Sequence, residues 1–307
     1  VDGLEESARP TDGGESATEE VGSRAPVLRA VRWILASDID RLFLTEASAR
    51  ALDAEGIHEL RRATRRLRAT LRSFRPYLDA LWNQGLRDEV RWLSGEVGLV
   101  RDLQVLRDRL VSTLGEDEAR GELFEVIEER CQQAKVRVVE AFESSRYEQL
   151  RERLVEAAEN PWVQRDLGER CGRALGRRVE RMWRRVRRQA KALKGDLPDE
   201  QYHSVRKRGK DLRSALEAFR PWMKREQRKA SKRLGEKLGR LVGVLGSRQD
   251  AVMSRRFLWE FAQGLPTETE ARAAAERWIA TEGELIEKLG RRSRSVWRTM
   301  DRRSWVD

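Results

Sequence analysis

The sequence predicts an all-α protein built by internal duplication, and three observations predict it. Apolar residues recur at steps of three and four over most of the chain after Pro26, the spacing that gathers side chains on one helix face. No stretch sustains an apolar–polar alternation of β-branched residues, so no sheet is expected. One pattern, IHELRRATRRLRATLRSFRPYLD from Ile57 to Asp79, returns without a gap as YHSVRKRGKDLRSALEAFRPWMK from Tyr202 to Lys224. With 37% charged and 39% hydrophobic residues, the 307-residue chain has apolar material for narrow helical seams beneath long solvated faces.

Residues 1–25, VDGLEESARPTDGGESATEEVGSRA, carry almost no large apolar side chain and are expected to form a disordered acidic tail. The tail either solvates the chain or folds back on the basic surface as a weak competitor. From Pro26, the residues Val27, Val31, Ile34, Leu35, Ile39 and Leu42 trace a first amphipathic helix, which Asp53-Ala54-Glu55-Gly56 is expected to break. The first copy of the repeat follows as one helix, closed at or just after Pro76. Leu81–Val97 and Arg101–Leu114 read as further helical stretches, with Gly95 and Gly98 marking a bend. Asp117–Phe142 and Tyr147–Ala158 complete a first half, residues 26–160, and Asn160-Pro161 marks the turn into a second, residues 161–307. That half opens with a strongly basic helix from about Arg165 to Lys194, which includes Arg177, Arg178, Arg181, Arg184, Arg185, Arg187 and Arg188. After the second copy come helical stretches over Glu226–Gly246, Gln249–Gln263 and Thr269–Gly290. Trp33, Trp92, Trp183, Trp259 and Trp278 fall within the seams and are expected to pack in the core.

The repeated stretch carries two surfaces. Leu60, Thr64, Leu67, Leu71, Phe74 and Leu78 form an apolar row, while His58, Arg61, Arg65, Arg68, Arg72 and Arg75 form a basic one. Arg65 lies about 200° round the helix from Leu67, so the basic row faces away from the core. Like charges a turn apart repel, and no acid interrupts Arg61 to Arg75, so an anionic partner is expected. The second copy places His203, Arg206, Arg213 and Arg220 where the first has His58, Arg61, Arg68 and Arg75, and Lys207 and Lys210 replace Arg62 and Arg65. Asp211 and Glu217 replace Arg66 and Arg72, which makes this copy less basic.

These residues resemble a known family. A His, an Arg three residues on, a further basic pair, a Leu-Arg step and a closing Phe-Arg-Pro, present twice, resemble the CHAD family, the conserved-histidine α-helical domain. Leu99-Val100-Arg101-Asp102-Leu103, preceded by Gly98, is similar to a further family segment, and Leu245-Gly246 with Gln249-Asp250 is a weaker echo in which Gln249 departs from the expected Arg. The resemblance implies two pseudo-symmetric four-helix bundles with a basic groove or pore between them, and binding of inorganic polyphosphate. It assigns the contact to His58, Arg61, Arg62, Arg65, Arg68, Arg72, Arg75 and Arg101 of the first half, and to His203, Arg206, Lys207, Lys210, Arg213 and Arg220 of the second. It also implies a cytoplasmic protein at polyphosphate granules.

Guanidinium groups suit such a ligand because they meet phosphate oxygens in paired, charge-assisted hydrogen bonds. One cation per helical turn, about 5.4 Å, roughly matches successive phosphates of an extended chain. The two histidines, His58 and His203, either bond phosphate oxygens or cap helix ends, and both readings stand.

Rival readings are bounded by the residues. A net charge of +11 and a pI near 10.1 fit any polyanion, so a general polyanion or nucleic-acid binder is the alternative. No helix-turn-helix, zinc-finger or RNP pattern supports sequence-specific RNA or DNA reading. An enzyme would need carboxylates holding magnesium, and the repeats offer only Glu59, Asp211 and Glu217, with no P-loop or GxSxG. No catalytic residue, metal or cofactor is expected, and an accessory role beside a polyphosphate-metabolising enzyme is a second alternative. Cys131 and Cys171 give no disulfide framework and read as buried thiols in a reducing compartment. No apolar run reaches membrane-spanning length and no signal peptide is evident, so a soluble, unexported chain is expected.

Overall fold

A computed structural model describes residues 22–114, 120–164, 168–193, 197–300 and 304–306. The expected acidic tail falls outside the described residues apart from 22–25, as do Asp117, Arg165 and Lys194, at which helices were expected to begin or end. Among the described residues the protein is all-α, with no strand and two isolated bridges, Pro26 to Arg170 and Leu78 to Val163.

Helix α1 spans Val27–Leu44 and buries Val31, Ile34, Leu35, Ile39 and Leu42. A short α2, Glu46–Arg50, follows. The chain then turns at Leu52, whose φ is 57°. Helix α3, Ala54–Ser73, is the first copy of the repeat, and the Asp53 carboxylate caps it by accepting from Gly56 N–H at 2.8 Å. The first helix ends earlier, at its C-cap Thr45, and Gly56 lies in the first turn of α3. A Cβ there would lie 2.5 Å from Ser48, so glycine is what lets α2 fold tightly onto α3. Arg75–Tyr77 forms a 3₁₀ turn at Pro76.

Helix α4 runs unbroken over Ala80–Thr113, straight through Gly95 and Gly98. The helix continues through both glycines because burial of Val90, Leu93, Val97, Val100 and Leu103 on one stripe outweighs about 1 kcal/mol of helix propensity lost at each. Helices α5, Arg120–Glu143, and α6, Ser145–Glu159, complete the first half.

Part of this order then recurs, without counterparts of α2 and α6. Helix α7 covers Cys171–Lys191, α8 covers Asp199–Phe219, and Arg220–Trp222 repeats the 3₁₀ turn at Pro221. Helix α9, Arg225–Gln263, passes through Gly246 where a break was expected, again with a buried stripe carrying it. Helix α10, Glu270–Arg298, extends well beyond the expected end at Gly290 and is capped by Thr269. Matching hydrogen bonds pin each copy to the long helix after it. Asn83 of α4 donates to Leu71 O at 3.2 Å, and Ser231 of α9 donates to Leu216 O at 3.1 Å.

The apolar rows read from the sequence are buried throughout: Leu60, Leu67, Leu71, Phe74 and Leu78 in one copy, Val205, Leu212, Leu216, Phe219 and Met223 in the other. They join one core cluster that extends from Ala25 to Trp305. Helices α3 and α8 touch, and Phe74 meets Phe219 with ring centroids 5.1 Å apart. A bidentate pair between Arg109 of α4 and the buried Glu282 of α10, at 3.0 and 2.6 Å, adds a second tie between the halves. The described end of the tail is held too: Cys171 N–H donates to Ala25 O and Val27 N–H to Glu169 O, both at 2.9 Å.

Trp183 and Trp278 lie in the core, but Trp33 and Trp259 are 52% and 55% exposed. Periodicity places their backbones on the seams, while the wide indole of Trp33 instead meets Trp222 at the surface, edge to face at 5.9 Å. Cys131 and Cys171 are buried free thiols.

Candidate functional site

Asp53 sets the start of α3 and Pro198 that of α8, and the Phe74–Phe219 contact closes the two helices at their far ends. Between these fixed points, Arg61 and Arg65 on α3 lie close enough to α8 for Arg206 to depress the basicity of Arg65, for Arg61 to depress that of Arg206, and for Arg61 and Arg65 to depress that of Lys210. Arg61 is anchored from α4, donating to Gly98 O at 2.7 Å and pairing with Asp102 at 2.7 Å. Arg206 stands in the corresponding place over Gly246 of α9, with Asp250 as its charge partner. A Cβ added at Gly98 or Gly246 would touch the respective guanidinium at 4.0 or 3.7 Å, so each glycine leaves its arginine a shallow seat on the next helix. The Gly-x-x-x-Asp spacing of the two segments is thus a device for aiming one arginine from each copy.

Burial is the largest cause that lowers the basicity of Arg65, Arg206 and Lys210, and repulsion among these cations adds to it. Lys210 is pushed down to about 7, by burial first and then by Arg206, Arg65 and Arg61. Asp250 is raised by burial although Arg206, Arg109 and Lys210 oppose the shift. An excess of half-desolvated positive charge on two facing helices is the electrostatic signature of a site that an anion completes.

A second concentration of charge lies at the C-terminal end of α3. Arg72, Arg75, Arg87, Arg178, Arg185 and Arg208 line a cavity of 270 Å³ together with Ser73, Pro76, Met182 and Asp211. Arg72 pairs with Asp211 across the α3–α8 contact, and Arg178 Nη2 donates to Arg72 O at 2.8 Å. Burial, then repulsion by Arg181 and Arg185, pushes Arg178 down to about 10. Arg68 and Arg87 are lowered too, by burial first and then chiefly by Arg72 and Arg91. Arg68 therefore belongs electrostatically with this second concentration, one turn along α3 from Arg65. The sequence reading missed Arg87, Arg178, Arg185 and Arg208 as site residues. Arg178 and Arg185 stand seven apart, two turns along one face of the basic helix, and that spacing is the signal that could have found them.

The remaining expected residues are placed more peripherally. Arg62 pairs with Glu59 at 2.7 Å, Arg213 with Glu217 at 3.0 Å, and Lys207 is exposed. Arg101 Nη1 donates to Gln104 at 3.4 Å, while Arg220 has a buried Nε without a partner among the described residues. His58 is half-buried at the start of the α3 row. His203 Nδ1 lies 3.0 Å from Gln249 Oε1, in a groove that Asp199 and Glu200 also line. Gln249 is thus the residue that departs from the expected arginine, and it holds the histidine of its own copy. Among the described residues no three His, Cys, Asp or Glu side chains gather to hold a metal ion, and no helix is long and apolar enough to cross a membrane.

Two opposed helices carrying cations against a shared apolar base define an all-α polycation scaffold. The chain belongs to the CHAD domain family, whose model matches residues 34–259, and CHAD domains are associated with polyphosphate binding. Uncharacterized protein Rv2226 of Mycobacterium tuberculosis (strain H37Rv) is 28% identical over 291 residues, 90% of this chain and 53% of that protein. A second, MT2285 of strain CDC 1551, matches to the same extent, so the chain spans about half the length of these curated relatives. Among solved structures, PptA from Streptomyces chartreusis superposes with a TM-score of 0.75 at 20% identity, covering 89% of this chain and all of that one. The CHAD domain from the plant Ricinus communis superposes at 0.66 with 24% identity, covering 91% and 94%. Both likenesses speak to the fold.

Proposed function

We propose that this chain binds inorganic polyphosphate along the facing surfaces of α3 and α8, without making or breaking phosphoanhydride bonds, and that it sits on polyphosphate granules in the cytoplasm. The observation that carries the reading is the opposition of Arg61 and Arg65 to Arg206 and Lys210, a group of cations short of counter-charge. Asp102 and Asp250 offset only part of this charge, and a linear polyanion supplies the remainder along both helices. Family membership supports the same ligand class.

The test is a competition titration at fixed salt, since polyanion affinities fall steeply as salt rises. Labelled long-chain polyphosphate is bound to the full chain and challenged with single-stranded RNA, duplex DNA and pyrophosphate at equal phosphate concentration. Competition by unlabelled polyphosphate alone is the expected result. Equal competition by RNA makes the protein a general polyanion binder and removes polyphosphate as its particular ligand.

A further inference from the structure

We infer that the arginine cavity at the end of α3 captures the terminal phosphoryl group of a polyphosphate chain, while the α3–α8 strip holds interior phosphates. The inference rests on the polyphosphate reading and adds a division of labour within it. An interior phosphate offers two non-bridging oxygens and one charge. A terminal one offers three oxygens and up to two charges, so it suits a site where donors converge from several directions.

The cavity is such a site. Its arginines come from several directions: Arg72 and Arg75 from the end of α3, Arg87 from α4, and Arg178 and Arg185 from α7, with Arg208 closing from α8. Six guanidinium groups are offset by one carboxylate, Asp211, which already serves Arg72. The Nε groups of Arg72, Arg87 and Arg178 are enclosed and make no hydrogen bond among the described residues. A buried donor left unpaired is costly, and here the three belong to residues that line one space. Pro76 and Met182 give the cavity part of its apolar wall. The strip differs in its counter-charge: Arg61 pairs with Asp102, and Arg206 has Asp250 as its charge partner. Arg68 stands between Arg65 and Arg72 in the basic row of α3, so a chain laid along that row reaches the cavity end first.

The experiment compares polyphosphate of modest length, with free ends, against the same chains blocked at both ends as ethanolamine phosphoramidates, which removes an oxygen and a charge from each terminus. Three full-length proteins are titrated: wild type, Arg185→Gln with Arg208→Gln, and Arg65→Gln with Lys210→Met. Arg185 and Arg208 are exposed, so replacing them leaves the core intact. Wild type is expected to prefer free-ended chains about tenfold. The cavity variant should bind both chains alike, at the level of blocked chains on wild type. The strip variant should weaken on both and keep the preference. Equal binding of free and blocked chains by wild type overturns the inference while leaving the polyphosphate reading in place, and so does a preference that survives in the cavity variant. No binding of either chain by wild type overturns both.

Discussion

Helices α3 and α8 are two copies of one pattern that have come to do different things with the same positions. In α3 the residue at the centre of the row is Arg65, which stays charged at any physiological pH; in α8 it is Lys210, held at about 7 by burial and the cations around it. One residue on, Arg66 reaches inward to the buried Asp38 at 2.5 Å, whereas its counterpart Asp211 reaches outward across the contact to Arg72. Thr64 fills space in α3 where Gly209 lets α9 approach α8. The first copy thus supplies free positive charge, while the second supplies adjustment: a titratable amine, two internal acids and a closer fit to its neighbour.

The harshest way to break that comparison is to reverse charge in each copy in turn. Arg65→Glu with Arg68→Glu should lower affinity for long polyphosphate by about two orders of magnitude at physiological salt, with helicity by circular dichroism unchanged. Lys210→Glu with Arg213→Glu should cost distinctly less, because Arg213 already shares its charge with Glu217. Equal losses would mean that the copies contribute alike.

The closer fit of α8 is tested by Gly209→Ala. Its Cβ would stand 2.8 Å from Val242, so the substitution should lower stability by about 1–3 kcal/mol in denaturant titration. Thr64→Ala, which fills no new space, should behave as an ordinary loss of a buried hydroxyl and methyl.

The titratable amine predicts a pH effect whose sign is fixed. Free Lys210, faced by Arg61, Arg65 and Arg206 and more weakly by Asp250, is largely neutral above about pH 7. A bound polyanion favours the ammonium form, so binding above that pH takes up a proton, and affinity falls by up to about tenfold per pH unit as pH rises. Below it the lysine is already charged and the effect fades. Lys210→Arg should flatten the profile, which titrations between about pH 6 and 9 at fixed salt would check. The same shift acts on the free fold with opposite slope: between about 7 and the unfolded value of 10.5 the unfolded chain binds the extra proton, so unliganded stability rises with pH.

The smallest expected effect is that of Asp211→Asn. Loss of the pair with Arg72 should lower stability by about 1 kcal/mol and raise polyphosphate affinity about threefold, since Arg72 is released to the ligand.

Much of this is legible in the sequence alone. Steps of three and four place the buried rows of both copies, because burial of leucine and phenylalanine contributes most to helix packing and leaves the plainest periodic trace. The pairing of Arg61 and Arg65 with Arg206 and Lys210 is legible only as a repeat, since facing helices leave no mark on local spacing. Gly246 misleads because glycine signals either a helix end or a place where a neighbour comes close, and here, as at Gly98, the neighbour is an arginine of the preceding repeat. The arginine cavity is hidden for a related reason. Its members come from four helices far apart in the chain, and the basic face of α7 has the same local pattern as a solvated one.

The contact between Phe74 and Phe219 has a consequence for how such a chain changes over generations. Each copy covers the other's aromatic face, so neither half could be lost or traded without exposing a ring that is now 1% or less accessible. Where the aromatic ends match, the charged positions differ: Lys210, Asp211 and Glu217 of α8 stand where α3 has Arg65, Arg66 and Arg72, and Asp211 now pairs with Arg72 across the contact.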